Sequence, residues 1–137
     1  VDVKIGVGGL AQLSRGLKAV DADAPKELRI GLNAAAQLLV DKTRPEVPSV
    51  SGAARRSMVA RSTRTSARIA VGGVKAPYFP WLDFGGQGRI AGRPAPRPFH
   101  PDGRYVYPTL RRIRPQIERE LQERIAAVIR GAGLVEG

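Results

Sequence analysis

Residues 85–104 limit the fold more than any other part of this chain. They read Gly-Gly-Gln-Gly-Arg-Ile-Ala-Gly-Arg-Pro-Ala-Pro-Arg-Pro-Phe-His-Pro-Asp-Gly-Arg, with five glycines, four prolines and four arginines. Neither a helical nor a strand period runs through them. Each proline lacks an amide donor and blocks regular structure, and each glycine adds backbone freedom that folding must remove. A stretch this long without periodicity is unusual inside a compact domain, and it points to function or disorder more than to simple connection. It lies between two ordered parts of a 137-residue chain, a length that suits one domain.

The parts on either side are helical in pattern. Residues 1–7 read as a short strand or an ordered arm. Leu10, Leu13, Leu17 and Val20 then recur at helical spacing, which predicts a helix near 9–20. Asp23 is placed as an N-cap, with Pro25 tolerated in the first turn. Leu28, Leu32, Ala35, Ala36, Leu39 and Val40 form a stripe whose alanines admit close approach of a partner element. Arg44-Pro45 is expected to stop that helix, because a residue before proline is pushed out of the helical region. Met58, Ala60 and Ser62 alternate with Val59, Arg61 and Thr63, and Ile69 and Val71 share a face. This predicts two short strands joined by a turn near Arg64-Thr65-Ser66 and ended by Gly72-Gly73. Residues 78–84 read as a third strand or an irregular aromatic segment. Beyond the loop, Leu110, Ile113, Ile117, Leu121, Ile125 and Val128 predict a strongly amphipathic helix. Pro108 suits its first turn, and Pro115 is expected to bend it or mark its true start. Glu120 and Arg124 are spaced for an ion pair on its polar face, and Gly131 is expected to end it.

The resulting expectation is one α+β domain. It has a helical part (8–44), a β part (45–84), an extended basic loop (85–104), a C-terminal amphipathic helix (105–131) packed on a small antiparallel sheet, and a tail (132–137). No apolar run reaches the length of a membrane span, so no membrane partner is expected. The N-terminus lacks a signal-peptide pattern. There is no cysteine, which rules out disulfides, thiolate metal sites and thiol nucleophiles within the sequence.

The net charge is +11, and its location is informative. Residues 44–114 hold fourteen Lys/Arg against Glu46, Asp83 and Asp102, while the remainder has nine of each sign. All the excess charge therefore sits in the middle, where it attracts polyanions or acidic protein faces. Chemistry is harder to find. His100, the sole histidine, stands in a loop without companion ligands. No serine lies in a Gly-x-Ser-x-Gly elbow, and Gly6-Val7-Gly8-Gly9 lacks the Lys and Ser/Thr of a phosphate loop. No enzyme activity, cofactor or metal is expected; a hydrolase built on His100 is the weakest of three readings. A small basic nucleic-acid-binding protein is the second. Arg55, Arg56, Arg61, Arg64 and Arg68 favour it, but the aromatics Tyr78, Phe79, Trp81 and Phe84 crowd together instead of interleaving with arginines. That aromatic cluster is either core or an intersubunit contact.

Three elements occur in fixed order: Ser51-Gly52-Ala53-Ala54-Arg55-Arg56-Ser57-Met58, then Tyr78-Phe79-Pro80-Trp81-Leu82-Asp83-Phe84-Gly85-Gly86, then Arg97-Pro98-Phe99. Together, over roughly residues 25 to 130, they resemble the siphophage tail-completion, or putative tail-component, family, similar to lambda-type minor tail protein Z. Ser51-Gly52 and Arg55-Arg56-Ser57 match its Thr/Ser-Gly-x-Leu-Arg-x-Ser-like element, with Ala54 at the usual leucine. Tyr78 and Asp83-Phe84-Gly85 match its Tyr-x-x-x-x-Glu-Phe-Gly-Thr-like element, with Asp for Glu and Gly86 for Thr. Arg97-Pro98-Phe99 match its Arg-Pro-Phe-like element.

The resemblance implies a structural virion protein of a tailed bacteriophage, assembled in the host cytoplasm. It implies a homo-oligomeric ring, with six copies expected, that joins tail tube to neck around the DNA channel. Its implied partners are sister copies, neighbouring neck and tail-tube proteins, and genomic DNA through non-specific contact. Arg56, Tyr78, Trp81, Asp83, Phe84, Gly85, Arg97, Pro98 and Phe99 are the expected subunit-interface residues. Phe84 and Phe99 bracket the basic loop and are expected to anchor it on a neighbour. Arg61, Arg64 and Arg68 are the candidates to line the channel.

Overall fold

A computed structural model describes residues 2–6, 8–48, 52–73, 76–90 and 93–133; Ser51 and the end of the expected tail lie outside them. The fold is α+β, as expected. A three-stranded antiparallel sheet is formed by β1 (Asp2–Ile5), β2 (Val59–Ala60) and β3 (Ala67–Ala70), with β3 in the centre. Val3 faces Ile69 and Ile5 faces Ala67 across β1 and β3, and all four are buried. Alternation then sends Lys4 and Arg68 to the other face. The β2–β3 hairpin runs past its ladder through the amide of Arg61 on the Arg68 carbonyl (3.0 Å) and that of Thr63 on Ser66 (2.9 Å). The turn is therefore where the sequence put it.

Three long helices surround the buried face. They are α1 (Leu10–Val20), α2 (Ala24–Thr43) and α5 (Val106–Gly131). The central element is α2. Its Leu32, Ala35, Ala36, Leu39 and Val40 are fully buried. α2 packs against α1, against β2 and β3, and above all along α5. Gly31 allows the close approach of α5, because a Cβ there would stand 3.0 Å from that of Arg124. The C-terminal helix, expected on the sheet, lies instead mainly along α2. Its buried Ile113, Ile117 and Leu121 match the apolar stripe of α2, and α2 covers the strands.

Several local expectations need correction. Asp23 precedes α2 but makes no side-chain cap; Asp21 Oδ1 accepts the Asp23 amide instead (2.9 Å). Arg44 stays helical despite Pro45, and a 3-10 turn (Arg44–Glu46) ends the run. Its guanidinium donates to the Met58 carbonyl (2.7 Å), a bond that ties the helix end to the start of β2. Pro115 neither starts nor interrupts α5, and it lies on the exposed side of the helix. α5 does end at Gly131, but the left-handed residue beyond it is Gly133 (φ 79°). Glu120 and Arg124 form the expected pair at 2.9 Å.

The expected β part, 45–84, contains two short helices, α3 (Ala53–Arg56) and α4 (Phe79–Phe84). The aromatic segment is thus neither strand nor irregular. Pro80 occupies the first turn of α4, where proline has no amide to lose, and Gly85 ends it. The loop is not structureless either. β4 (Arg89–Ile90) and β5 (Arg93–Pro94) pair as a small hairpin, prolonged by a bridge between Gly86 and Arg97.

Candidate interaction site

The three sequence elements come together in space. In the first, Ser57 Oγ donates to the Ala54 carbonyl (2.6 Å) and accepts the Gly72 amide (3.0 Å). Gly72 in turn lies against the side chain of Phe79, the buried first residue of α4. In the second and third, the Gly86 and Arg97 backbones exchange two hydrogen bonds (2.7 and 2.9 Å), and the His100 amide donates to the Phe84 carbonyl (2.7 Å). So α3, α4 and the hairpin at 86–97 form one continuous module beside the sheet.

Trp81 seats the hairpin. Its indole Nε1 donates to the Ala95 carbonyl (3.0 Å), and the Arg97 guanidinium lies over the ring at 5.6 Å from its centroid. Gly88 sits directly on the indole, and any side chain there would collide with it. Arg97 Nη2 also donates to the Tyr105 hydroxyl (3.1 Å). Gly85 has φ 86° and ψ −156°, a region open essentially only to glycine, and a Cβ would strike the Pro98 carbonyl.

Asp83 is 2% exposed. Its Oδ1 accepts the amides of Arg104 (2.7 Å) and Tyr105 (2.8 Å), the two residues that lead into α5. A carboxylate at this end of a 26-residue helix satisfies otherwise unpaired donors and complements the helix dipole. Arg104 completes the clasp, donating Nη1 to the Asp83 carbonyl (3.0 Å) and Nη2 to that of Pro98.

These contacts revise the expected interface. Asp83 is buried, Gly85 is half-buried against the Pro98 carbonyl, and Trp81 and Arg97 are half-buried against each other. Phe84 is half-buried with its ring centroid 6.1 Å from that of Tyr107. What faces outward is narrower. Phe99 is 67% exposed, Tyr78 41% and Tyr107 38%, with Pro98 and Arg56 also at the surface. Tyr107 carries no sequence signal of exposure, since it stands in the first turn of the helix and outside the apolar stripe that begins at Leu110.

The channel candidates lie elsewhere, around the β2–β3 hairpin. Arg61 and Arg64 are exposed and Arg68 is half-buried. His100 is exposed, and among the described residues no three His, Cys, Asp or Glu side chains gather as a metal site would require. A separate cleft of about 350 Å³ lies between the start of α2 and the end of α5, lined in part by Asp21, Glu27, Ile30, Arg124 and Val128. No helix among the described residues is long and apolar enough to cross a membrane.

No protein-family model, curated protein or solved structure matches this chain.

Proposed function

We propose that this chain is a structural virion protein of a tailed bacteriophage. In this reading it is a tail-completion or connector subunit that forms a ring at the head–tail junction and joins tail tube to neck around the DNA channel. The observation that carries the reading is the convergence of the three motif elements. Their order and spacing resemble the tail-completion family, and residues as distant as Ser57, Trp81 and Arg97 belong to one module.

That module has the properties a ring subunit needs. A rigid inner clasp of Asp83, Arg104 and Trp81 holds out a hairpin arm that ends on an exposed aromatic, Phe99. An exposed phenylalanine beside prolines and an arginine has the composition of a contact anchor. A head-to-tail contact of this arm with a different face of the next copy closes into a ring if the rotation closes. Phe84, expected to be a second anchor, instead supports the arm from within its own subunit.

Native mass spectrometry of the purified protein, followed by imaging of particles that contain it, tests the reading. The expected species is a closed ring of 14.7 kDa subunits, six of them as the resemblance implies, located between head and tail tube. A persistent monomer that is absent from particles overturns it.

A further inference from the structure

Among the described residues, the exposed large apolar side chains fall in two places. Tyr78, Phe99 and Tyr107 belong to the module around α4 and to the α5 entry. Val20 (54% exposed) and Ile30 (48%) flank the start of α2, beside the cleft of about 350 Å³. α2 and α5 touch at Gly31 and Arg124, and the walls beyond include the small Ala127 and Gly131, so the helices leave a gap that neither fills. Ile30 and Val128 make its lining apolar. A gap of this size is at the small end of ligand pockets and admits one aromatic side chain.

The cleft and the hairpin arm are opposite in sign. Asp21 and Glu27 stand on the α2 side of the cleft, with Asp23 exposed next to them. Arg124 is the one cation in the described lining, and its Nε donates to Glu120 of its own helix (2.9 Å). Lys26 and Arg29, the cations of the same stretch of α2, do not line it. The arm that carries Phe99 is basic: residues 86–104 hold four arginines against Asp102, and Asp102 pairs with Arg111 (3.8 Å). An exposed aromatic among cations is the complement of an apolar cleft with carboxylates at its mouth.

The arm cannot fill the cleft of its own subunit. Phe99 lies just ahead of α5, where the His100 amide on the Phe84 carbonyl and Arg104 on the Pro98 carbonyl tie its backbone down. The cleft is at the other end of α5, and 26 residues at 1.5 Å each separate the two ends by about 39 Å. We infer that the cleft between the start of α2 and the end of α5 is the seat for the Phe99 arm of a second copy of this chain. Phe99 packs there against Ile30 and Val128, and the arginines of the arm face Asp21 and Glu27. The inference rests on the ring reading above and names the face that receives the arm. Donor and seat are different surfaces at opposite ends of one helix, so each copy gives one arm and takes another. That is a head-to-tail contact, which closes into a ring where the rotation closes.

The chain has no cysteine, so site-directed cross-linking on the full chain is clean. His100 and Ala127 are both exposed, one beside Phe99 and one in the cleft wall. A full chain carrying His100→Cys is mixed with one carrying Ala127→Cys and treated with a short bismaleimide. The expected product is a two-chain species whose digest links positions 100 and 127, and the double variant is expected to give a ladder of higher species. A second measurement follows the subunit concentration at which rings form, with circular dichroism as the check on folding. Ile30→Ala is expected to raise it roughly 3- to 10-fold per contact, and Phe99→Ala about 10- to 150-fold. The double variant is expected to do little more than Phe99→Ala alone, because the two side chains share one contact. Glu27→Lys is expected to raise the concentration, whereas Glu118→Lys, exposed on α5 outside the cleft, is expected to leave it unchanged. Rings that form without the 100–127 link overturn the inference, whatever else covers the cleft, residues 134–137 of the same chain included. So do multiplying effects of Ile30→Ala and Phe99→Ala, or equal effects of the two charge reversals. Native mass spectrometry of the unaltered chain reports the ring separately: rings without the link remove this seat alone, while a persistent monomer removes the ring reading and the seat with it.

Discussion

Asp83 shows how a single side chain can take two readings from sequence and one from structure. As part of Asp-Phe-Gly it belongs to a motif and invites an interface role. In the fold it is buried, and its Oδ1 holds the two amides that immediately precede α5. Removing the acceptor leaves those part-buried donors without their partner, and each such group costs up to about 1–3 kcal/mol. Asp83→Ala is therefore expected to destabilise the subunit by about 2–4 kcal/mol in urea unfolding. Asp83→Asn keeps an acceptor of the same shape but loses the charge, and is expected to cost about 1 kcal/mol. The ordering of the two variants is the test. Equal losses would mean that the carboxylate charge carries the whole effect, and near-zero losses in both would mean that the α5 entry is held by other contacts.

At the scale of elements, the sequence disclosed those with a period long enough to see. α2 and α5 announce themselves through stripes at Leu28 to Val40 and Leu110 to Val128, and the β2–β3 hairpin through alternation around a Thr-Ser turn. α4 was missed because six residues give fewer than two turns, and because Tyr, Phe and Trp favour strands when judged by type. The signal that was there is positional: Pro80 just inside the start and Gly85 just after the end. The β4–β5 hairpin has two-residue strands, one containing Pro94, so no alternation can show. Its order comes from tertiary contacts, chiefly with Trp81. Of the site, the motif order was legible but the direction of each side chain was not. Burial of Asp83 and the alignment of Lys4 with Arg68 depend on register and packing that only the folded chain sets. If Trp81 fastens the hairpin, Trp81→Ala should release it without melting the core. A local loss of about 2 kcal/mol corresponds to about thirty-fold faster exchange of the amides of Gly86, Ala95 and Arg97. Amides at the centre of α2 should keep their protection. Wild-type amides in 86–97 that already exchange freely in a monomer would contradict the fastening, and would return the hairpin to the status of an arm ordered only by its neighbours.

At the scale of the whole molecule, two outward surfaces differ in character. The outer sheet face carries the charged Lys4 and Arg68, while the α4–hairpin module presents aromatics over the clasp of Asp83 and Arg104. Phe99 is the cleanest probe of the second. At 67% exposure it contributes little to the isolated subunit, so Phe99→Ala should change subunit stability by less than about 0.5 kcal/mol. If the side chain is buried by a sister copy, its loss costs each contact about 1.5–3 kcal/mol. A closed ring repeats that contact at every interface, so the penalties accumulate and assembly should shift to much higher subunit concentration. Phe84→Ala differs in kind: its half-buried ring packs near Tyr107, and its loss should lower subunit stability directly. Measuring ring formation and thermal unfolding on both variants separates the roles. Phe99→Ala that assembles at the wild-type concentration removes the anchor from the hairpin arm, and the ring contact must then be sought at Tyr78 and Arg56 on the other exposed parts of the module.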